Sequence, residues 1–320
     1  LQALMNPIAS LVLIRMNGGT AMMRILGIVG VQVCICVPII VFQFCKGKEF
    51  FSKEYWGYAL RIGIPIVPHY LSGIILNQGD RIMIDKMVGK TEVALYGLAY
   101  SIGMLVQLFI SGMNSALTPW MYSKIKKGDI RSMRKVLQLL SVVVVGIAVA
   151  LMLISPELVL IFGSPKYREA VYVIPPVAAS VFFIFIYNIL SMPQFYYEKT
   201  QFLMAASMAA AGANVVLNFI FIRLFGYIAA GYTTLACYML YSVGHYIVSK
   251  RILVNEGIQE NLMNPGFLLA CSVFLIGASI ICNLIFPYRI LRYAILLASA
   301  GLVFWKKELL LKTMADIRKK

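Results

Sequence analysis

Acidic residues are scarce in this chain: 13 Asp and Glu stand against 29 Lys and Arg, and charged side chains together make up only 13% of the 320 residues. A soluble globular domain carries about a quarter charged residues, so that class is excluded. Cysteines in CxxC spacing are also absent. The six cysteines (Cys34, Cys36, Cys45, Cys237, Cys271, Cys282) lie in or beside apolar runs and read as small buried hydrophobes, not disulfides or metal ligands. The two histidines, His69 and His245, are 176 positions apart and form no sequence-local metal site. No cofactor is implied. No basic stretch is interleaved with aromatics, which argues against a nucleic-acid partner. Long polar stretches are missing too, which excludes large aqueous domains.

What fills the chain is apolar: 61% hydrophobic side chains with a mean hydropathy of +0.83. This composition specifies an all-α polytopic membrane protein. At about 20 to 22 residues per span, hydropathy and loop signals place a partial span at 1–14. Nine full spans follow near 21–44, 57–79, 93–117, 134–155, 171–193, 200–222, 227–249, 266–286 and 289–305. The chain begins apolar at Leu1, without the features of a signal peptide, and reads as part of something longer. The longest polar stretches are Lys46 to Tyr55, Trp120 to Lys135 and Ser249 to Asn264. Alternate loops on their side, with the C-terminal tail, carry 18 Lys and Arg against 9 on the other. That side is expected to be cytoplasmic, and the net charge of +16 to attract anionic membrane lipids.

An offset of 208 residues places Asn6, Ile14, Arg15, Gly18 and Ala21 on Asn214, Ile222, Arg223, Gly226 and Ala229. Both windows run from the end of one span through an Ile-Arg exit and a Gly turn into the next. Six spans separate the copies, as a parallel repeat requires.

The run Arg61-Ile-Gly-Ile-Pro-Ile-Val-Pro-His-Tyr leads into Asp80-Arg81-Ile-Met-Ile, then Leu95-Tyr-Gly-Leu-Ala-Tyr, then Thr118-Pro-Trp. This order resembles the polysaccharide-biosynthesis, O-antigen type flippases of the multidrug, oligosaccharidyl-lipid and polysaccharide exporter superfamily. The resemblance implies a two-lobe transporter, of which 1–45 is the end of the first lobe and 46–56 a cytoplasmic inter-lobe linker. Residues 57–250 would form the second six-helix lobe, 251–264 a cytoplasmic loop, and 265–320 two additional spans with a basic tail. Helices one to four of the family pattern have no counterpart in the sequence. The implied function is transport of lipid-linked oligosaccharide across the cytoplasmic (inner) membrane by alternating access, without enzymatic activity. Other polysaccharide-assembly proteins are implied as partners.

Ionisable groups inside a span cost about 2.5 to 3.5 kcal/mol on insertion scales and mark pathways. In the span 57–79, at about 100° per residue, Arg61, Ser72, His69, Asp80 and Asn77 share one face, with Pro65 and Pro68 beside it. A cationic, hydrogen-bonding stripe is expected on a helix that the prolines kink or locally unwind. Arg61 suits the oxygens of a lipid pyrophosphate; alternatively it snorkels to the surface. His69 could face the pathway or be a neutral, hydrogen-bonded core imidazole. Asp80 is either a coupling site for a proton or sodium ion or a local partner of Arg81, the latter being favoured. Gln107, Ser111 and Asn114, followed by Thr118, form a second stripe that would serve sugar hydroxyls or act as interhelical glue. Two other readings compete: a cation-coupled multidrug exporter of the same superfamily, and a membrane polysaccharide polymerase or ligase, for which outer loops such as 163–170 are too short.

Overall fold

The computed structural model describes residues 2–16, 20–48 and 51–305. Among them every regular element is helical: α1 Gln2–Met16, α2 Ala21–Gly47, α3 Lys53–Met87, α4 Lys90–Gly103, α5 Leu105–Lys126, α6 Ile130–Phe162, α7 Ile174–Tyr196 (entered through a 3₁₀ segment, Pro165–Val173), α8 Thr200–Phe225, α9 Ile228–Asn255, α10 Pro265–Ile285 and α11 Arg289–Trp305. The protein is an all-α polytopic membrane protein. The Gly18 turn of the repeat and the basic tail 306–320 lie outside the described residues.

The chain divides into a unit of residues 1–61 and a unit of residues 62–320. In the first, α1 packs on α2, and the close approach needs a glycine: a Cβ on Gly27 would lie 2.6 Å from the Ser10 Cα. In the second, α7 is the central helix. Its residues Ile174–Ile186 are all buried, so it reads as continuously apolar rather than amphipathic. α9 packs along it, with α4, α5, α6 and α10 around it.

Local chemistry sets the helix ends. Asp129 caps α6, accepting from the Ser132 backbone N–H at 3.3 Å, and Asn264 caps α10 ahead of Pro265, accepting from Gly266 N–H at 2.9 Å. Gly226, at φ +74°, makes the tight α8–α9 turn in a conformation that side chains disfavour.

Among the described residues, seven helical segments are long and apolar enough to cross a membrane, fewer than the nine expected. Helix α9 is long enough but too polar to count. The reason is its composition: Thr233, Thr234, Ser242, His245 and Ser249 all turn into protein and are buried, so they need no lipid-compatible character. Helix α11 has 17 residues.

The expected unwinding at Pro65 and Pro68 is absent: α3 runs as one helix of 35 residues through both. Each proline removes a single bond, and the flanking turns hold. The break falls instead at Met104, between α4 and α5, where no proline stands. There Met104 N–H bonds Tyr100 O at 2.9 Å and Gln107 N–H bonds Met104 O at 2.9 Å. A Cβ on Gly103 would meet Val177 Cγ1 at 2.7 Å, so glycine allows α4 to sit directly on α7 beside this break.

One ion pair docks α11 on α6. Arg292, 3% exposed, donates from both Nη atoms to the Glu157 carboxylate at 2.8 Å and from Nη1 to Leu153 O at 2.7 Å. Its side chain is the more deeply buried partner, 4% exposed against 26% for Glu157. Removing the glutamate strands a buried guanidinium at a cost of about 3 kcal/mol, whereas removing the arginine leaves a carboxylate that water can reach. Thermal unfolding in detergent should therefore show a larger drop in Tm for Glu157→Ala than for Arg292→Met; the reverse order would contradict this account of the pair.

Candidate functional site

Helix α3 presents a buried edge of Ser72, Leu76, Asp80 and Ile84, four residues apart, against the rest of its unit. Beside that edge, His69, Asn77 and Arg81 turn into a cavity of about 730 Å3. The remaining walls come from α4 (Tyr100, Ser101 and the break at Met104), α7 (Tyr187, Asn188, Ser191, Phe195) and α9 (Tyr238, Tyr241).

The cavity wall is tied together by tyrosine hydroxyls. Asn77 Oδ1 accepts from Tyr100 Oη at 2.7 Å and from Tyr238 Oη at 3.3 Å, while its Nδ2 donates to Gly73 O at 2.7 Å. His69 Nδ1 and Tyr241 Oη are 3.0 Å apart. The Tyr187 ring lies parallel to that of Tyr238 at 6.2 Å and packs on Tyr241 at 4.5 Å. The result is an aromatic wall with hydroxyl and amide groups at its edges.

Arg81 supplies the charge. Its Nη1 donates to Gln78 Oε1 at 3.2 Å, its guanidinium sits 5.3 Å from the Tyr100 ring centroid, and its buried Nε has no hydrogen-bond partner among the described residues. Apart from tyrosines and His69, it is the one ionisable side chain lining the cavity among the described residues.

Asp80 does not pair with Arg81, contrary to the favoured expectation. One residue is about 100° of helix rotation, enough to send the carboxylate away from the cavity into a junction of four helices. There Asp80 is 0% exposed. Its Oδ2 accepts from Tyr96 Oη (α4) at 2.5 Å and from Thr234 Oγ1 (α9) at 2.7 Å, and its Oδ1 accepts from Asn218 Nδ2 (α8) at 2.5 Å. Asn218 also bonds Asn214, at 3.1 Å, and Thr233. No basic side chain forms an ion pair with this carboxylate among the described residues. A buried carboxylate surrounded by neutral oxygen and amide groups can hold a proton or a small cation.

Of the other anticipated residues, Ser72 is buried and its hydroxyl returns to Pro68 O at 2.7 Å, so it faces protein rather than the cavity. Arg61 belongs to the first unit, is exposed, and has no ion pair among the described residues. Gln107, Ser111 and Asn114 are not in the cavity wall: Ser111 back-bonds to Gln107 O at 2.9 Å, and Gln107 Oε1 and Asn114 Oδ1 lack partners among the described residues. What the spacing argument missed is Arg81, the tyrosines and Thr234. A signal existed in α9, where Thr234, Tyr238, Tyr241, His245 and Ser249 recur at helical spacing.

Comparison with known proteins shows what the chain is similar to. The family model described as polysaccharide biosynthesis protein matches residues 1–126, and the MatE family model matches residues 65–220; the two overlap on α3, α4 and α5. The chain is thus similar to polysaccharide-biosynthesis and MatE exporter-family membrane proteins. An Lsg locus protein of Haemophilus influenzae is 28% identical over 172 residues, 50% of this chain and 41% of that protein. A second membrane protein of the same organism is 29% identical over 191 residues, 56% of this chain and 46% of its own length. The aligned region thus spans less than half the length of each relative. No solved structure matches. Both matched families are of transporter or exporter type.

Proposed function

We propose that this protein is part of a flippase that carries polyprenyl-pyrophosphate-linked oligosaccharide across the cytoplasmic membrane, the polyprenyl tail staying in the bilayer. The observation that carries this reading is the cavity itself: an arginine with an unused buried donor, set among tyrosine faces and amide groups. Guanidinium matches phosphate oxygens in a planar two-point geometry, and aromatic faces with polar rims suit pyranose rings. At about 730 Å3 the space fits a head group of drug size or a few sugars. A lipophilic-cation exporter is less well served, because the carboxylate a cation would need, Asp80, is turned out of the cavity.

In this reading Arg81, His69 and Asn77 contact the head group, and Asp80 couples movement to a proton or sodium ion. Its three donors arrive from α4, α8 and α9, so a change in its charge would reach all three helices at once. Arg61, exposed in the first unit, suits an anionic lipid group; Ser72 supports the helix, and the Gln107, Ser111 and Asn114 stripe serves sugars that extend beyond the cavity. The polar loops named above face the cytoplasm.

Thermal stabilisation of the purified protein tests the ligand class. A polyprenyl-pyrophosphate sugar should raise Tm in a concentration-dependent way and the corresponding free polyprenol should not; equal shifts would remove the phosphate from the recognition. Orientation is checked separately in a cysteine-free background, at exposed positions on opposite ends of the helices. Ser123→Cys should be labelled from the cytoplasmic side and Lys166→Cys from outside, and labelling of Ser123→Cys from outside would overturn the topology.

A further inference from the structure

At the end of α6 away from its Asp129 cap, a second cavity of about 480 Å3 lies between that helix, the 3₁₀ segment Pro165–Val173 and the link from α10 to α11. Val159 and Leu160 of α6 and Phe286 and Pro287 of the link give it apolar walls. Two charged side chains line it among the described residues, Arg168 and Glu169 of the 3₁₀ segment. The frame around them is tied in place. Asn283 Nδ2 on α10 donates to Tyr172 O of the 3₁₀ segment at 3.4 Å and to Tyr232 Oη of α9 at 2.7 Å, and the Tyr172 and Phe286 rings are 5.9 Å apart. Exposed Leu160, Ile161 and Phe162 end α6 beside the cavity, and exposed Leu284 ends α10. These apolar surfaces belong in hydrocarbon, whereas Arg168 and Glu169, both exposed, belong in the headgroup layer, so the cavity sits at the boundary between the two.

Consecutive side chains on a 3₁₀ helix are about 120° apart, so Arg168 and Glu169 reach the cavity in different directions. They do not pair with each other, and neither forms an ion pair elsewhere among the described residues. The cavity therefore offers one free cation and one free anion above apolar walls. A ligand that matches all three features carries a phosphate, an ammonium and hydrocarbon. We infer that this cavity binds a phosphatidylethanolamine, with its phosphodiester on Arg168, its primary ammonium on Glu169 and the start of its acyl chains on Leu160 and Phe286. Guanidinium takes two phosphate oxygens at once, and an ammonium with three N–H groups can donate to a carboxylate. A trimethylated choline headgroup has no N–H to donate, and a phosphatidylglycerol brings no cation to Glu169. The volume lies within the range of about 300–1,000 Å3 usual for small-molecule sites. This assignment is independent of the substrate reading, because the lipid is a component of the surrounding bilayer and the cavity is separate from the one lined by Arg81.

Native mass spectrometry of the purified protein, delipidated and offered an equimolar mixture of phosphatidylethanolamine, phosphatidylcholine and phosphatidylglycerol of identical acyl chains, tests it. One exposed ion pair is worth up to about five-fold in affinity, so the first bound phosphatidylethanolamine should exceed either competitor by about that factor. Glu169→Gln removes the partner of the ammonium and should bring phosphatidylethanolamine level with phosphatidylglycerol. Arg168→Ala removes the partner of the phosphate and should weaken the first binding event for all three lipids. Both side chains are exposed, so both variants should fold as the unaltered protein does, with the same Tm. Equal retention of the three lipids by the unaltered protein would overturn the proposal. So would a preference for phosphatidylglycerol, which would assign the site to Arg168 alone, and so would a phosphatidylethanolamine preference that persists in Glu169→Gln, which would place that lipid elsewhere on the protein.

Discussion

Arg81→Ala is expected to reduce flipping of a pyrophosphate-linked oligosaccharide by at least ten-fold per folded molecule. Nothing in the packing demands this arginine. Its contacts are a bond to exposed Gln78 and a ring face, so its loss should leave Tm within a degree or two of the unaltered protein. Arg81→Lys keeps the charge and loses the planar fork, and should retain an intermediate rate. Flipping is measured as the appearance of lectin-accessible sugar on the far side of proteoliposomes, normalised to inserted protein. The same pair of substitutions at Arg61 discriminates differently: a snorkelling anchor would be replaced fully by lysine, a ligand only in part. Full flipping by Arg81→Ala would remove the arginine from the proposed recognition and leave His69 and Asn77 to carry it.

The second large effect is expected at Asp80, and it separates stability from coupling. Asp80→Ala deletes the acceptor of three buried hydrogen bonds from Tyr96, Thr234 and Asn218, stranding donors at about 1–3 kcal/mol each. The folded yield and Tm should fall sharply. Asp80→Asn keeps the volume, and the hydroxyls of Tyr96 and Thr234 can turn to accept from the new amide, so most of the fold should survive. What asparagine cannot do is change charge. Flipping by Asp80→Asn should lose its stimulation by an imposed proton or sodium gradient while downhill exchange continues. Undiminished gradient stimulation in that variant would assign Asp80 to structure alone.

The helices were legible because apolar runs and polar turns alternate along the whole chain, and because lipid tolerates only hydrogen-bonded backbone. The site was legible only in part, for a reason that lies in one helix. Hydropathy ends the span at residue 79, so Asp80 and Arg81 read as a charged pair at a membrane edge. The helix in fact continues to Met87, and two further turns place the neighbouring side chains in different surroundings, Asp80 in a four-helix junction and Arg81 in the cavity. The tyrosines were overlooked because their spacing looks like an aromatic interface or an apolar face. Only the arrival of α4, α7 and α9 around α3 shows their hydroxyls meeting on Asn77 and His69. Conversely, Ser72 shares the wheel position of a pathway residue but bonds its own helix, a choice that spacing cannot reveal.

A protein proposed to move a lipid whose head is a sugar pyrophosphate must discriminate that lipid from a cationic drug. The most direct measurement is translocation in sealed vesicles containing the protein, offered in parallel a polyprenyl-pyrophosphate oligosaccharide and a lipophilic cationic dye. The expected result is protein-dependent exposure of the oligosaccharide to lectin on the far side, with no protein-dependent transport of the dye. Protein-dependent export of the dye with the oligosaccharide left where it started would contradict it.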